Sequence, residues 1–305
     1  MEVNIAVTGA TGLVGRHVTR ALLEAGHAVN ALARKRPGNL AGGVRFFEWS
    51  AGESEPPVES LAGVDAVVHL AGEPVAQRWT PEVKKRIQSS RVDGTRHLVN
   101  ALSTQSRRPQ VLISASAIGI YGSRGDEVLT EGSRPGGDFL AGLAVEWEQA
   151  SALAEALGIR VVRLRIGMVL ASDGGALQKM LPPFRFGVGG RLGSGRQWMS
   201  WIHVDDLVRL IMFAVARADV SGAMNAVAPN PVTNAEFTKE LTRALHRPAI
   251  FPVPKLALRV LFGEMADVVL ASQRVIPEAA TAAGFTFHYT QLAAALRRLV
   301  GDEAQ

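Results

Sequence analysis

Along the first half of the chain, short apolar runs alternate with stretches of helical periodicity. The runs are VNIAVTG (3–9), AVNALAR (28–34), VRFFEW (44–49), DAVVHLAG (65–72), QVLISAS (110–116) and RVVRLRIG (160–167). Most are continuously apolar rather than alternating, the pattern of parallel strands covered on both faces. Helical patterns fall between them over 13–25, 81–104 and 139–157. This β-α repetition predicts an α/β fold built on a doubly wound parallel sheet. The second half changes character. Residues 172–200 are Gly-rich and irregular, a helix-like stretch follows over 203–217, and the tail from Thr233 is mainly helical with FPVP (251–254) as a break. The expected division is a nucleotide-binding domain of 1–171 plus 201–228. A smaller, mainly α lobe of 172–200 and 229–305 would lie over the C-terminal edge of the sheet.

Composition narrows the function classes. Lys plus Arg exceeds Asp plus Glu by 33 − 28 = 5 over 305 residues, and no run of five basic residues occurs. Nucleic-acid binding is therefore not expected. The absence of Cys excludes disulfides, thiolate catalysis and Cys-based metal sites, and no metal site is expected. No uninterrupted apolar stretch is long enough to span a bilayer. The first strand starts within a few residues of Met1, so no signal or transit peptide is expected. A cytoplasmic protein, monomer or homodimer, acting on a small molecule is the expectation.

The strongest chemical signal lies directly after the first run. VTGATGLVG holds Gly9, Gly12 and Gly15, with Ala10, Thr11, Leu13 and Val14 between them. Glycines at this spacing, between a strand and a helix, allow a tight turn, close approach of backbone to a pyrophosphate, and helix–strand packing. The pyrophosphate would sit at the helix N-terminus, where free N–H groups favour anions. The second strand ends in ALARKRPG. Arg34 and Lys35 stand where NAD-preferring folds place an acid for the ribose 2′-OH. A guanidinium suits a 2′-phosphate, so NADP(H) is favoured over NAD. The segment Leu70, Ala71, Gly72 and Glu73 follows the fourth run, at the crevice where such sheets bind ligands. With Arg91, Ser114 and Arg165 it is expected to border the cofactor.

TGATGLVG, the HLAG strand end, RVDGT and SWIHVDDL together resemble the extended short-chain dehydrogenase/reductase superfamily. LAGEPV, SRVDGT, SASAIGIYG, GGALQKMLPPFRFGVGGRLGSG, NAVAPNPVTNAEF and LFGEMADVVLASQRVIPEAATAAGF are similar to one branch of it. That branch is the atypical epimerase family of the YfcH type, within the NAD-dependent epimerase/dehydratase superfamily. The resemblance implies a Rossmann-type NADP-binding domain, a substrate lobe, and a family-specific C-terminal domain of unknown function over about 250–300.

Typical members of the superfamily use a Tyr-x-x-x-Lys pair and a Ser. The need is an acid–base group matched to working pH beside the reacting carbonyl. Here the only tyrosines are Tyr121 and Tyr289, followed four residues later by Gly125 and Ala293. No Tyr-x-x-x-Lys exists in the chain. By resemblance the Tyr and Lys positions fall on Phe139 and Leu143, an apolar wall. The usual Ser falls on Ser116, with Ser114 one pleat earlier, and the usual Asn falls on Arg91.

Two readings stand for each candidate. Ser116 either orients a substrate oxygen or satisfies a strand-end carbonyl. Arg91 either serves the site or makes a helix-surface salt bridge. Tyr121, expected near the pocket mouth, is a substitute proton donor if a cation such as Arg91 lowers its pKa. Glu73 is a second candidate. His203 has a suitable intrinsic pKa, although a His opening a helix before two Asp residues reads more readily as a cap. Glu73, Phe184, Trp198, Trp201 and His203 are the expected substrate-contacting set, against the alternative that the tryptophans anchor the lobe. Two functions stay open: an NADP(H)-dependent oxidoreductase or epimerase-like enzyme of atypical mechanism, and a non-catalytic NADPH-binding redox sensor or scaffold.

Overall fold

In the computed structural model, which describes residues 3–38, 42–248 and 251–301, the apolar runs become strands of one parallel sheet. Its strands are β1 (Asn4–Thr8), β2 (Ala28–Ala33), β3 (Val44–Glu48), β4 (Ala66–His69), β5 (Val111–Ala117), β6 (Arg160–Ile166) and β7 (Gly222–Ala226). They lie side by side in the order β3-β2-β1-β4-β5-β6-β7. The direction of winding reverses between β1 and β4, which makes that point the ligand crevice of a doubly wound sheet. The sheet has the Rossmann-type arrangement expected from the sequence. The seventh strand, GAMNA, is less apolar than the others and gave a weaker signal.

The principal helices are α1 (Leu13–Glu24), α2 (Pro81–Ser103), α3 (Phe139–Ala152), α4 (Gly175–Arg185), α5 (Val204–Ala216), α6 (Asn234–Leu245), α7 (Lys255–Phe262) and α8 (Leu292–Val300). Successive side chains of a strand point to opposite faces, so continuously apolar strands need cover on both faces of the sheet. Ile5 and Val7 join a core with Val18 and Leu22 of α1 and Leu207 and Ile211 of α5. Ala6, between them, joins the opposite core with Leu98 and Leu102 of α2 and Leu112 of β5. In a third buried cluster Leu177, Leu181 and Phe184 of α4 meet Trp201, Phe237 and Leu296.

Residues 172–200, irregular by sequence, contain α4 in spite of Pro182 and Pro183. Each proline forfeits one backbone N–H bond to the preceding turn, and Leu177, Leu181 and Phe184 bury a shared face that offsets the loss. Helix starts follow local chemistry. Thr80 caps α2 ahead of Pro81, Asp138 caps α3, and Thr233 and Glu236 form a capping box on α6. No helix among the described residues is long and apolar enough to cross a membrane.

Candidate cofactor crevice and its neighbouring polar network

The glycine loop runs from the end of β1 into α1. Gly9 has φ +66°, a conformation that favours glycine, and a Cβ there would lie 2.8 Å from the Leu70 carbonyl carbon. Gly15 admits no side chain, because a Cβ would come within 2.2 Å of the Gly9 oxygen. The loop thus presses on both α1 and the segment after β4. Helix α1 starts after Gly12 with no acid in its first turn and, unlike α2, α3 and α6, with no side-chain cap. Its first N–H groups are left for an anion. From above, Gly174 and Gly175 close on Leu13, and Asp173 bonds Arg16 at 3.1 Å and His17 at 3.0 Å.

A buried chain of side chains holds the other wall. Thr95 has one hydroxyl proton, donated to the Arg91 carbonyl at 2.6 Å, so its oxygen accepts from Trp147 Nε1 and from His69 Nε2, both at 3.0 Å. His69 therefore carries its proton on Nε2, and Nδ1 accepts from Thr8 Oγ1 at 2.7 Å. Thr8 Oγ1 in turn accepts from the N–H groups of Leu70 and Ala71 at 3.1 and 3.2 Å. Burial pushes the His69 pKa down to about 4, so the ring is neutral at physiological pH. Sequence reasoning quoted HLAG but missed this role. The available signal was Arg91 and Thr95 at i, i+4, which stack on one helix face.

Around the crevice the structure brings together Leu70, Ala71, Gly72, Glu73, Arg34 and Arg91. Arg34, exposed beside exposed Lys35, donates to Glu73 Oε2 at 3.2 Å. Ser90 holds the Glu73 backbone N–H at 2.9 Å. Among the described residues Arg91 makes no salt bridge. It stacks over Trp147, with Cζ 5.1 Å from the ring centroid, and donates to the Glu73 carbonyl at 2.9 Å.

The remaining candidates gather elsewhere. Tyr121 was expected at a pocket mouth and is fully buried. Its hydroxyl donates to Asn225 at 2.7 Å and accepts from Arg165 at 2.9 Å. Burial raises its pKa, with Arg165 opposing, so the cation beside it is Arg165 rather than Arg91 and the expected lowering does not occur. Arg165, expected along the cofactor, spends Nε and Nη2 on Glu148 at 2.8 and 2.9 Å and Nη1 on Tyr121 and the Glu131 carbonyl. Ser116 donates to Glu148 at 2.7 Å, and buried Ser114 turns to the Ala115 carbonyl at 3.4 Å. Glu131 accepts from the N–H groups of Asn225 and Ala279, which ties the lobe to this network.

Of the expected substrate set, Phe184 and Trp201 are buried together in one apolar cluster, which for Trp201 is the anchoring alternative. Trp198 donates to Asp126 at 2.8 Å and lies under Arg274. His203 is buried, caps α5 through Nδ1 and stacks 3.8 Å from Tyr289, so it acts as the cap that its position also suggested. Phe139 meets Trp79 edge-on, with Lys84 5.2 Å from its ring centroid, and Leu143 packs with Val83 and Ile87 of α2. Lys84 pairs with Glu264 of the lobe. No group of three or more potential metal ligands occurs among the described residues.

Residues 5–227 match the description NAD dependent epimerase/dehydratase family. The chain belongs to that family. As an epimerase/dehydratase-family protein it also carries, over 253–299, a match to a domain of unknown function, DUF1731. It is 40% identical over 300 residues to the epimerase family protein YfhF of Bacillus subtilis, covering 98% of each chain. It is 42% identical over 308 residues to an Arabidopsis thaliana protein named epimerase family protein SDR39U1 homolog, chloroplastic, covering 98% of this chain and 87% of that one. Among solved structures, the human epimerase family protein SDR39U1, crystallised with NADPH, superposes with TM-score 0.88 at 33% identity, covering 98% of this chain and 99% of that one.

Proposed function

We propose that this protein is an NADP(H)-dependent oxidoreductase of atypical short-chain dehydrogenase type. Bound NADPH would supply the hydride. The glycine loop and the uncapped start of α1 hold the diphosphate, and Arg34 takes the 2′-phosphate. The human relative's NADPH complex supports the choice of cofactor. The observation that carries the enzymatic reading is the lobe closing beside the crevice. Glu264 pairs with Lys84, and Gly263 approaches Arg78, next to the aromatic pair Trp79 and Phe139. A protein that only senses a nucleotide has no use for a second wall beside the reacting end.

In this reading no residue of the Tyr-Lys type serves the proton, and Tyr121 is not its source, because its hydroxyl is spent on Asn225. Incubation with 4-deuterated NADPH and a panel of carbonyl and nucleotide-sugar substrates tests the proposal by mass spectrometry. Deuteride in any product supports it.

A second reading, a non-catalytic NADPH sensor or scaffold, is favoured by one observation. Ser116, Tyr121 and Arg165, the polar groups at the far end of the edge, are bonded to protein partners. Tight NADPH binding with no transfer across the panel would favour it. Selectivity separates the cofactor assignment from both. Arg34→Ala should weaken NADPH roughly tenfold or more and leave NADH unchanged. A mutant that still prefers NADPH moves the 2′-phosphate site elsewhere.

A further inference from the structure

Helix α7, KLALRVLF, is apolar nearly all round, and a helix of that kind belongs inside a protein. It is not inside. Only Leu258 is buried, while Leu256, Val260 and Leu261 face solvent with Lys255 and Arg259 beside them. A second segment adjoins its N-terminal end. Val253 donates to the Arg191 carbonyl at 2.8 Å, Gly193 donates to the Val253 carbonyl at 2.9 Å, and a Cβ on Gly187 would touch the Pro248 ring at 3.8 Å. These neighbouring stretches add Phe186, Val188 and Phe251, and the six apolar side chains are between 57% and 83% exposed. Outside 186–188 and 251–268, the exposed large apolar side chains among the described residues are Val58, Val128 and Leu153, far apart in sequence, and single residues of that kind are ordinary.

At these exposures the six side chains present roughly 700 Å² of surface, more than the largest apolar patch of a typical monomer, about 300–600 Å², and close to the ~800 Å² that each partner gives to a standard interface. The charges around the patch indicate the partner. Residues 251–270 hold two cations, Lys255 and Arg259, and two acids, Glu264 and Asp267. That stretch has no basic excess, which an anionic lipid surface would require. Both signs on one face suit a copy of the same face turned by two-fold symmetry. Arg259 pairs with Asp267 within the chain at 3.3 Å, with the two side chains 66% and 68% exposed, so both can also reach outward. We propose that this face docks a second copy of the chain in a two-fold contact. In it Leu256, Val260 and Leu261 form the apolar centre, and Arg259 of each copy meets Asp267 of the other at the rim. Helix α7 lies within the 253–299 stretch whose family description gives no function, and the contact forms whether or not a cofactor is bound.

The test is sedimentation equilibrium of the full chain, with a melting curve of each variant to check its fold. At about 50 µM, above the weak end of affinity for interfaces of this size, the wild type should be a dimer. Leu261→Glu should raise the dissociation constant about a hundredfold or more, because it places a charge at the apolar centre. Arg259→Asp and Asp267→Arg, each alone, set like charges against each other across the axis and should weaken association about tenfold or more. Mixing these two variants restores both rim pairs in a mixed dimer, which should hold within about threefold of the wild type. A salt bridge that matters only within the chain gives no such rescue. If Leu261→Glu does not fold, the charge variants and their mixture carry the measurement. A monomeric wild type overturns the proposal, as does a Leu261→Glu variant that folds and still dimerises, or a mixture no tighter than its components. Co-sedimentation with phosphatidylglycerol vesicles by the wild type, lost in Leu261→Glu, would give the face to a lipid surface and overturn it too.

Discussion

Over β1, β2 and β4 the C-terminal edge of the sheet presents uncapped backbone N–H groups at the glycine loop. Over β5, β6 and β7 the same edge is filled by Ser116, Glu148, Arg165, Tyr121 and Asn225, which satisfy one another. Both halves are polar, and strand ends in this fold class are where ligands bind. The difference lies in where the hydrogen bonds go. A polar group whose bonds are complete within the protein is architecture. One left with open donors beside a cradle that excludes side chains is ready for a ligand.

The largest effect should come from breaking the closed half. Arg165→Met removes one partner of a buried pair and strands Glu148, at a cost of roughly 3–5 kcal/mol. Urea unfolding measures the loss. NADPH should still raise the melting temperature of the mutant, because ligand binding stabilises whatever folds. A fall in NADPH affinity as large as the fall in stability would return Arg165 to the cofactor set and erase the contrast between the halves.

The open half breaks by a different route. Gly15→Ala places a methyl against the Gly9 oxygen, where a Cβ has only 2.2 Å. The loop must shift, at roughly 1–3 kcal/mol of overpacking. Here the selective outcome is loss of the NADPH-induced rise in melting temperature. A mutant with an unchanged rise would show that the loop does not hold the diphosphate.

The sequence made the open half legible and hid the closed one, for a physical reason. Glycine spacing between a strand and a helix reports backbone geometry, which is local, so Gly9, Gly12 and Gly15 could be placed before any tertiary contact was known. The partners of Tyr121 are long-range: Asn225 lies 104 residues away and Arg165 lies 44. Nothing local distinguishes a tyrosine at a pocket mouth from one bonded on all sides. The same holds for His69, whose partners Thr8 and Thr95 come from β1 and α2. The tryptophans were ambiguous for a related cause, since Trp201 directly follows an irregular sequence and becomes core only once α4 and α6 pack over it.

His69 gives the contrast a pH dependence, because it lies beneath the open half and is neutral when folded. Its folded pKa, about 4, is below the ordinary 6.5, so the unfolded chain takes up the proton first as pH falls. The stability it contributes is complete above about 6.5 and is lost between there and about 4. Going from pH 7.5 to pH 5 should cost about 2 kcal/mol from this residue alone. His69→Gln, which keeps one donor and one acceptor, should flatten that part of the urea-derived profile. An equally steep profile in the mutant would assign the loss to other groups.

The smallest expected effect discriminates most finely within the open half. Glu73 reaches across the crevice to Arg34 at 3.2 Å, so an acid from the segment after β4 stands in space where the end of β2 lacks one in sequence. Arg34 is largely exposed, and such pairs contribute little to stability, roughly 0–1 kcal/mol. The carboxylate still competes with a 2′-phosphate for the same guanidinium. Glu73→Gln keeps the size and a hydrogen-bonding acceptor but removes the charge. NADPH affinity should rise about two- to fivefold, with NADH little changed, because only NADPH carries the group that competes. Weaker binding of both cofactors would mean that Glu73 holds the ribose itself. In that case the charge at the end of β2 would be balanced by design, and Arg34 alone would not set the preference.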